Sequence, residues 1–423
     1  MCIRLAIVCL TVSFVAGCGD ENTALQTSQV KTQLGPTAFG TSTGVTVAVA
    51  STTQLAIEDG SRVGGEISNT TKDPVATLLT EIRQLRINAG LDARNTTDLN
   101  HEIVQKAIEI LKVTMHDSSR QKAFLNGIRH LLQARFQLAL TGTPEDVDQL
   151  YADVQALNDR DSESDAAAEG IYYLAKFAHT RGRHSNQQKT EWNVNFSRWS
   201  REFAARFPQQ SERGLSLLFG AGRSCEMTSA TAVNREKSEL LQKEARLCYT
   251  LLMEKWPNEP QGQEAVAVLR RLDLPGNKLS QFSGPELTGG KVSAEQFTDR
   301  VTLIYFWDSA SKNFTDNWLP LLKKAETKLT TRRIRLVGVN LDEDITQCQK
   351  TVNDFKIPGD QICFRDENNR GWNSPLVRFW GVSQSPSVWL VDHKGIVAAV
   401  DVRREALVSR INRLLRARTA SRN

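Results

Sequence analysis

The sequence predicts a multidomain protein in which an all-α helical domain is followed by an α/β domain. From Pro74 to Leu274, apolar residues recur at the spacing of amphipathic helices. After Pro275-Gly276 the pattern changes to apolar strands that alternate with helical segments, which is typical of an α/β domain. A chain of 423 residues with 40% apolar residues is long enough for more than one buried core.

Charge argues against a nucleic-acid partner. The net charge is only +5, and a nucleic-acid-binding domain usually carries a denser basic surface. The last helix predicted, Glu405 to Leu415, has an apolar stripe that should be buried, with arginines on its solvated face. Contact with anionic lipid is the alternative for these arginines. The basic residues near the C-terminus are Arg403, Arg404, Arg410, Arg413, Arg416, Arg418 and Arg422.

The N-terminus predicts an exported lipoprotein. Arg4 precedes an apolar run, Leu5 to Val15, that is too short to span a bilayer but has the length of a signal-peptide core. The run ends in Val15-Ala16-Gly17-Cys18, which resembles a bacterial lipobox. We therefore expect residues 1–17 to be removed and Cys18 to carry acyl chains that anchor the protein to a membrane on the periplasmic side of the cell envelope. An ordinary secretory signal with an incidental cysteine is the alternative.

Residues 18–72 predict a flexible linker. The segment is rich in Thr, Ser and Gly and has no aromatic residue except Phe39. Such a composition cannot bury enough apolar surface to fold. We expect it to hold the folded part away from the membrane.

Residues 73–274 predict a helical domain with short polar loops, such as Asn158 to Ser164 and Arg181 to Gln188. Thr143-Pro144 has the form of an N-cap followed by a first-turn proline. Phe207-Pro208 and Trp256-Pro257 occupy matching places in two similar segments, a pattern that resembles the junction between tetratricopeptide-type units. Coincidence between two ordinary helix ends is the alternative.

Residues 279–423 predict the α/β domain. Val301 to Trp307 is an almost unbroken apolar run, as expected of a central strand covered on both faces. A helix from Asn313, a strand from Ile334 to Leu341 and a second helix follow, which indicates a parallel pair of strands. The segment Ser387 to Val400 predicts a hairpin that turns at Gly395.

The motifs of this domain resemble one family. Phe306-Trp307-Asp308-Ser309-Ala310-Ser311 resembles the end of the first core strand in TlpA/ResA-like thioredoxin domains, where Phe-Trp-x-x-Trp-Cys-x-x-Cys opens a helix. Ser385-Pro386, followed by an apolar strand and Asp392-x-x-Gly395, is similar to the cis-proline loop and hairpin of that family. The resemblance extends over residues 279–403 and implies a thioredoxin fold.

The resemblance also implies that the redox chemistry of the family is missing. Ser311 stands at the first-cysteine position and Phe314 at the second. The family's first cysteine reacts as a thiolate, which a helix N-terminus stabilises. A serine hydroxyl forms no mixed disulfide, so we expect no catalytic residue at this site.

The seven cysteines of the sequence include four in the mature folded part. Cys2 and Cys9 leave with the signal, and Cys18 is the lipidation candidate. An even number outside the cytoplasm permits two disulfides, Cys225 with Cys248 and Cys348 with Cys363; buried free thiols are the alternative. The four candidates are Cys225, Cys248, Cys348 and Cys363.

The peptide groove of the family remains a candidate site. In thioredoxin-like proteins the residue before the cis-proline offers backbone groups to an extended peptide. The resemblance thus implies peptide-binding roles for Trp307, Ser311, Ser385 and Pro386.

The sequence therefore predicts a membrane-anchored thioredoxin-fold protein that is redox-inactive and binds a protein partner. A thiol-disulfide oxidoreductase or peroxide-linked reductase that uses other cysteines is the first alternative. A functional helical domain capped by the thioredoxin fold is the second. We expect no cofactor and no metal, since His179 and His184 lie without a matching ligand set.

Overall fold

The computed structural model describes residues 73–91, 96–185, 188–328 and 334–420. The predicted signal peptide, Cys18 and the linker to residue 72 lie outside these residues. Within the described segments, no helix combines the length and the apolar character needed to cross a bilayer.

The helical domain consists of consecutive α-helices that pack against their neighbours in the chain. Thr143 caps one of them as predicted, in a capping box with Asp146, and Pro144 is its first residue. One predicted loop is shorter than expected, because the helix before it continues through Arg181 to His184. The helices are α1 (Pro74–Leu91), α2 (Thr96–Thr114), α3 (Gln121–Thr141), α4 (Pro144–Arg160), α5 (Asp165–His184), α6 (Lys189–Arg206), α7 (Ser211–Thr231), α8 (Arg235–Lys255) and α9 (Pro260–Leu272).

The two aromatic-proline pairs end helices in the same way. Phe207 caps α6 and donates its backbone N–H to the carbonyl of Phe203, 2.9 Å away. Trp256 caps α8 and bonds to the carbonyl of Leu252 at the same distance, with a similar backbone conformation. The proline after each aromatic residue has no N–H and cannot continue the helix.

The C-terminal domain contains the elements β1 (Ser283–Pro285), β2 (Lys291–Ser293), β3 (Val301–Trp307), α10 (Leu319–Lys328), β4 (Ile334–Asn340), α11 (Ile345–Phe355), β5 (Asp360–Ile362), α12 (Pro375–Trp380), β6 (Ser387–Val391), β7 (Val397–Ala399) and α13 (Arg404–Ala420). It is built on one mixed five-stranded sheet in the order β5-β4-β3-β6-β7. A separate two-stranded hairpin, β1 with β2, precedes it. The predicted fold class is confirmed: a helical region is followed by an α/β domain.

Strand β3 is the centre of this domain, and every residue in it is buried. It pairs in parallel with β4, as predicted, and antiparallel with β6. Tyr305 and Trp307 face one apolar cluster with α13, whereas Ile304 and Phe306 face a second with Trp389. Side chains alternate across a strand, so a strand with both faces covered needs a continuous apolar run.

Candidate functional site

The loop after β3 is tied to the loop after β4 at one edge of the sheet. The backbone N–H and the hydroxyl of Ser309 both donate to Oδ1 of Asp342, at 2.8 and 3.0 Å. The side chain of Asn340, the last residue of β4, donates to the other carboxylate oxygen of Asp342 at 2.8 Å. This edge holds the residues that the sequence assigned to the site.

Ser311 begins the helical segment that leads into α10. Its hydroxyl oxygen accepts a hydrogen bond from the backbone N–H of Phe314 at 3.2 Å, which is the role of an N-cap. The side chain is partly exposed. The family's first-cysteine position therefore lies at a helix start, as the resemblance implies, but it carries a hydroxyl that caps the helix.

Phe314, at the second-cysteine position, is a core residue. Its side chain is fully buried. Its ring stacks on Trp307 with centroids 5.2 Å apart and on Tyr305 at 6.0 Å. The position at which the family has its second cysteine is therefore occupied by a buried phenylalanine ring.

Trp307 requires a correction, because its side chain cannot line a surface groove. It is 0% exposed, and its indole N–H donates to the side-chain oxygen of Gln361 at 3.1 Å. An inward-facing position on a central strand leaves no route to solvent. The sequence pattern could have indicated this, since Trp307 alternates with Leu303 and Tyr305 on one face of the strand.

The loop before β6 contains the predicted proline turn. The peptide bond between Ser385 and Pro386 is cis, and both residues are partly exposed. Because Phe306 pairs with Ser387, one further step along each strand brings Trp307 beside Pro386. The loop after β3 and the loop before β6 therefore meet at the same edge of the sheet.

Ser385 has unused hydrogen-bonding groups. Within the described part of the chain, neither its backbone N–H nor its carbonyl has a hydrogen-bond partner. Its hydroxyl is buried and also lacks a partner among these residues. Polar backbone groups in folded proteins are nearly always hydrogen-bonded to protein or water. The backbone N–H and carbonyl of Ser385 are therefore available to hydrogen-bond with an added strand.

Trp372 is an exposed aromatic residue near this edge, although the sequence predicts no role for it in the site. Its side chain is 41% exposed. The preceding residue, Gly371, packs on the chain after β4: a Cβ atom there would lie 3.1 Å from the carbonyl of Leu341 and 3.3 Å from that of Asp342. Trp372 therefore stands at the same end of the sheet as Ser309.

The four mature cysteines are buried and unbridged among the described residues, which agrees with the free-thiol alternative and not with the two disulfides that the sequence permits. The Cys225 thiol donates to the carbonyl of Asn193 at 3.4 Å, and Cys248 contacts the hydroxyl of Ser197 at 3.2 Å. These polar partners in the helical core satisfy each sulfur separately.

Cys348 and Cys363 lie next to each other in the core of the C-terminal domain. Their sulfur atoms are 2.6 Å apart, and both side chains are almost completely buried. The hydrogen bond with Cys363, together with burial, raises the pKa of the Cys348 thiol. A buried neutral thiol is neither accessible nor ionised enough to attack a disulfide.

The helical domain contacts the proline loop through Arg271 at the end of α9. This side chain is 1% exposed, and its Nε donates to the carbonyl of Gly381 at 3.0 Å. Its two terminal nitrogens form ion pairs with Glu226 of α7 and Asp401 of the C-terminal domain. Burial alone lowers the pKa of Arg271, but attraction by the two carboxylates outweighs it and raises the pKa.

Both carboxylates extend this network into the proline loop. Asp401 accepts a hydrogen bond from the hydroxyl of Ser387 at 2.6 Å. Glu226 accepts one from Tyr249 at 3.0 Å and one from Ser383 at 3.4 Å. Hydrogen bonds with this network thereby hold the residues on either side of Ser385 and Pro386 in place, while the backbone groups of Ser385 remain unpaired.

A metal centre finds no support in the described residues, where no cluster of His, Cys, Asp and Glu has the form of a metal site.

Comparison with known proteins bears on the C-terminal domain. A family model described as thioredoxin-like matches residues 299–397. No curated protein matches the chain.

Solved structures that resemble the chain also cover about a third of it. The thioredoxin domain of a thiol-disulfide oxidoreductase from Bacteroides vulgatus is 19% identical over 33% of this chain and 97% of its own, with a TM-score of 0.30. A thiol-disulfide oxidoreductase from Bacteroides fragilis is 23% identical over 33% and 99%, with a TM-score of 0.28. A secreted thiol-disulfide isomerase from Corynebacterium glutamicum is 18% identical over 32% and 84%, with a TM-score of 0.27. From the family match and the strand order, the C-terminal part of this chain is a thioredoxin-like domain.

Proposed function

We propose that this protein is a cell-envelope lipoprotein whose thioredoxin-like domain binds an extended segment of a protein partner and does not exchange disulfides. The observation that carries the proposal is the unpaired backbone of Ser385, at the same edge of the sheet as a helix start that has Ser311 in place of a cysteine. The site thus offers the docking edge of a thioredoxin-like domain without its nucleophile.

Binding at Ser385 would add a short strand beside the loop. One N–H and one carbonyl of the same residue point to the pairing of a single peptide residue through two main-chain hydrogen bonds. The network of Arg271, Asp401 and Ser387 holds the loop in place, which lowers the entropy lost on binding.

Trp372 would supply an apolar anchor for the partner. Exposed tryptophans are enriched among the residues that dominate interface energetics. At 41% exposure, its ring keeps surface that a bound side chain could cover.

The absence of turnover follows from the chemistry of the remaining sulfurs. Cys348 and Cys363 form the only close pair of thiols in the described part of this domain. Cys348 lies in α11, Cys363 directly follows β5, and both are buried. The competing function, a thiol-disulfide oxidoreductase, would have to expose this pair. It is favoured by the short distance between the two sulfurs and opposed by their burial and by the raised pKa of Cys348.

Peptide binding can be tested with two exposed aromatic residues that differ in position. An array of overlapping peptides from exported proteins selects a ligand, whose affinity is then measured for the wild type, Trp372→Ala and Phe355→Ala. Phe355 is 46% exposed and ends α11, which begins near the site and runs away from it. We expect Trp372→Ala to weaken binding by about tenfold or more, as for an interface hot spot, and Phe355→Ala to leave it unchanged.

Amide hydrogen exchange identifies the binding edge in the same samples. The Ser385 amide should exchange freely in the unbound protein and become protected when the peptide binds. Equal affinity for both aromatic variants, or an unchanged exchange rate at Ser385, would contradict the proposed edge.

Membrane anchoring is a separate part of the proposal. It is supported by the apolar run before Val15-Ala16-Gly17-Cys18. In a bacterial host, Cys18→Ser should abolish labelling by a fatty-acid analogue and release the protein from the membrane fraction. Retention of the Cys18→Ser variant in membranes would refute lipidation as the anchor.

The helical domain is proposed to be a tetratricopeptide-like array. The matching ends of α6 and α8 at Phe207 and Trp256 support this interpretation. A repeat array would place its own ligand surface beside the thioredoxin-like domain.

A further inference from the structure

A polar cleft lies between the helical domain and the thioredoxin-like domain. The end of α7 and the beginning of α8 form one wall, and β7 and α13 form the other. Its volume is about 450 Å³. Small-molecule sites commonly range from about 300 to 1,000 Å³, so the cleft can hold a compact ligand.

Arginine dominates the charge of this cleft. Four arginines line it, one from α8 and three from the C-terminal segment of the other domain. Arg235 is already paired with Glu239 at 2.7 Å and is exposed. The other three are Arg403, Arg410 and Arg413.

The carboxylates at the base of the cleft do not neutralise the positive charge of these three arginines. Glu226 and Asp401 both line the cleft, but both form their ion pairs with Arg271. Among residues that the structure describes, none of the three guanidinium groups forms an ion pair with a carboxylate.

The three arginines are also close to one another. Arg410 and Arg413 are three residues apart on α13 and therefore share a helix face. Arg403 precedes the helix and donates to the carbonyl of Ala232, which holds its side chain across the cleft without neutralising it. Burial, followed by repulsion from Arg413 and Arg403, lowers the pKa of Arg410.

Such an arrangement attracts a counter-charge from outside the chain. Guanidinium groups stay protonated in proteins, so the cluster cannot relieve its repulsion by losing a proton. A phosphate group carries up to two negative charges and three acceptor oxygens on one compact centre. A carboxylate carries one charge and two oxygens, which serves three convergent arginines less well.

We propose that Arg403, Arg410 and Arg413 form a binding site for a phosphate group in the cleft between the two domains. The phosphate belongs either to a soluble phosphate ester or to a lipid headgroup, because both present the same chemistry to the arginines. The apolar part of such a ligand would contact Met227, whose side chain is 55% exposed at the cleft.

The test measures binding of inorganic pyrophosphate to the purified full chain by calorimetry and by thermal unfolding. The cleft variant is Arg410→Gln with Arg413→Gln. The charge-matched control is Arg404→Gln with Arg416→Gln, since both of these exposed residues belong to α13 and neither lines the cleft. We expect pyrophosphate to bind and stabilise the wild type and the control, and its affinity for the cleft variant to fall by about tenfold or more.

A second arm identifies the source of the phosphate. Vesicles of phosphatidylcholine are compared with vesicles that also contain phosphatidylglycerol. Stronger binding to the anionic vesicles that is lost in the cleft variant, without pyrophosphate binding, assigns the site to a lipid headgroup; pyrophosphate binding alone assigns it to a soluble ester.

The proposal is overturned if the wild type binds neither probe, or if the cleft variant and the control bind equally well. Circular dichroism checks that the cleft variant is folded. If it is not, the single variant Arg413→Gln replaces it, because the Arg413 side chain is exposed and tolerates the change. Equal pyrophosphate affinity for Arg413→Gln and Arg416→Gln would then overturn the proposal in the same way.

Discussion

Replacing Arg271 by Met should destabilise the contact between the two domains strongly. The change removes the donor to the Gly381 carbonyl and leaves Glu226 and Asp401 without their common cation. Removing one partner of a buried ion pair costs about 3–5 kcal/mol, because the remaining charge stays desolvated. That is a large part of the roughly 5–15 kcal/mol by which a domain is usually stable.

The neighbouring Arg270 provides a matched control. Its guanidinium stacks over the ring of Phe379 at 3.9 Å, and it is only partly buried. Arg270→Met should therefore cost only about 1–2 kcal/mol from a cation–π contact and one hydrogen bond.

The assay is urea unfolding of the full chain, monitored by tryptophan fluorescence. A third variant combines Arg271→Met with Glu226→Gln and Asp401→Asn. It should recover part of the loss, since no unpaired carboxylate remains. If Arg271→Met costs less than Arg270→Met, or if the triple variant is no more stable than Arg271→Met, the reasoning about the buried charges is wrong.

Three further predictions concern side chains that are wholly or partly buried in the fold. Phe314→Ala should lower the free energy of unfolding by about 3–5 kcal/mol through loss of a fully buried ring, and a loss below 1 kcal/mol in urea titrations would contradict its place in the core. Burial raises the pKa of Cys248 to about 11, and the hydrogen bond with Cys363, together with burial, raises the pKa of Cys348. The stability that these two neutral thiols contribute should be fully present below the unfolded thiol pKa of about 8.5 and be lost as the pH rises above it. In the double variant Cys248→Ala with Cys348→Ala, the urea midpoint should therefore fall less steeply with rising pH. Burial and the adjacent Arg86 lower the pKa of His130 to about 4. The stability that neutral His130 contributes should be full above its unfolded pKa of about 6.5 and be lost as the pH falls towards 4; an unaltered acid profile in His130→Gln would refute this assignment.

The sequence predicted those parts of the fold whose signal is continuous along the chain. A run of seven residues that is apolar except for Thr302 identified β3, and the order of the motifs at Ser311 and Pro386 identified the edge of the sheet at which the two loops meet. Strands β1 and β2 were missed because neither Ser-Gly-Pro nor Lys-Val-Ser contains a run of β-branched or aromatic residues. Helix α12 was missed because its six residues complete fewer than two turns.

The contacts that define the candidate site could not be predicted, because they join distant parts of the chain. Arg271 looked like one charge on an amphipathic helix, although its partners are 45 residues before it and 130 residues after it. Trp307 was assigned to a surface groove from its neighbours in the motif, whereas its position on β3 decides its burial. The closeness of Cys348 and Cys363 likewise depends on how α11 packs beside β5.

The most direct test of the account is the rate of insulin reduction by dithiothreitol in the presence of the purified protein. We expect the protein to leave the rate of dithiothreitol alone unchanged, because Ser311 and Phe314 provide no thiol and Cys348 and Cys363 are buried. Acceleration by the wild type that disappears in Cys348→Ser or Cys363→Ser would contradict the central claim and make this protein an oxidoreductase.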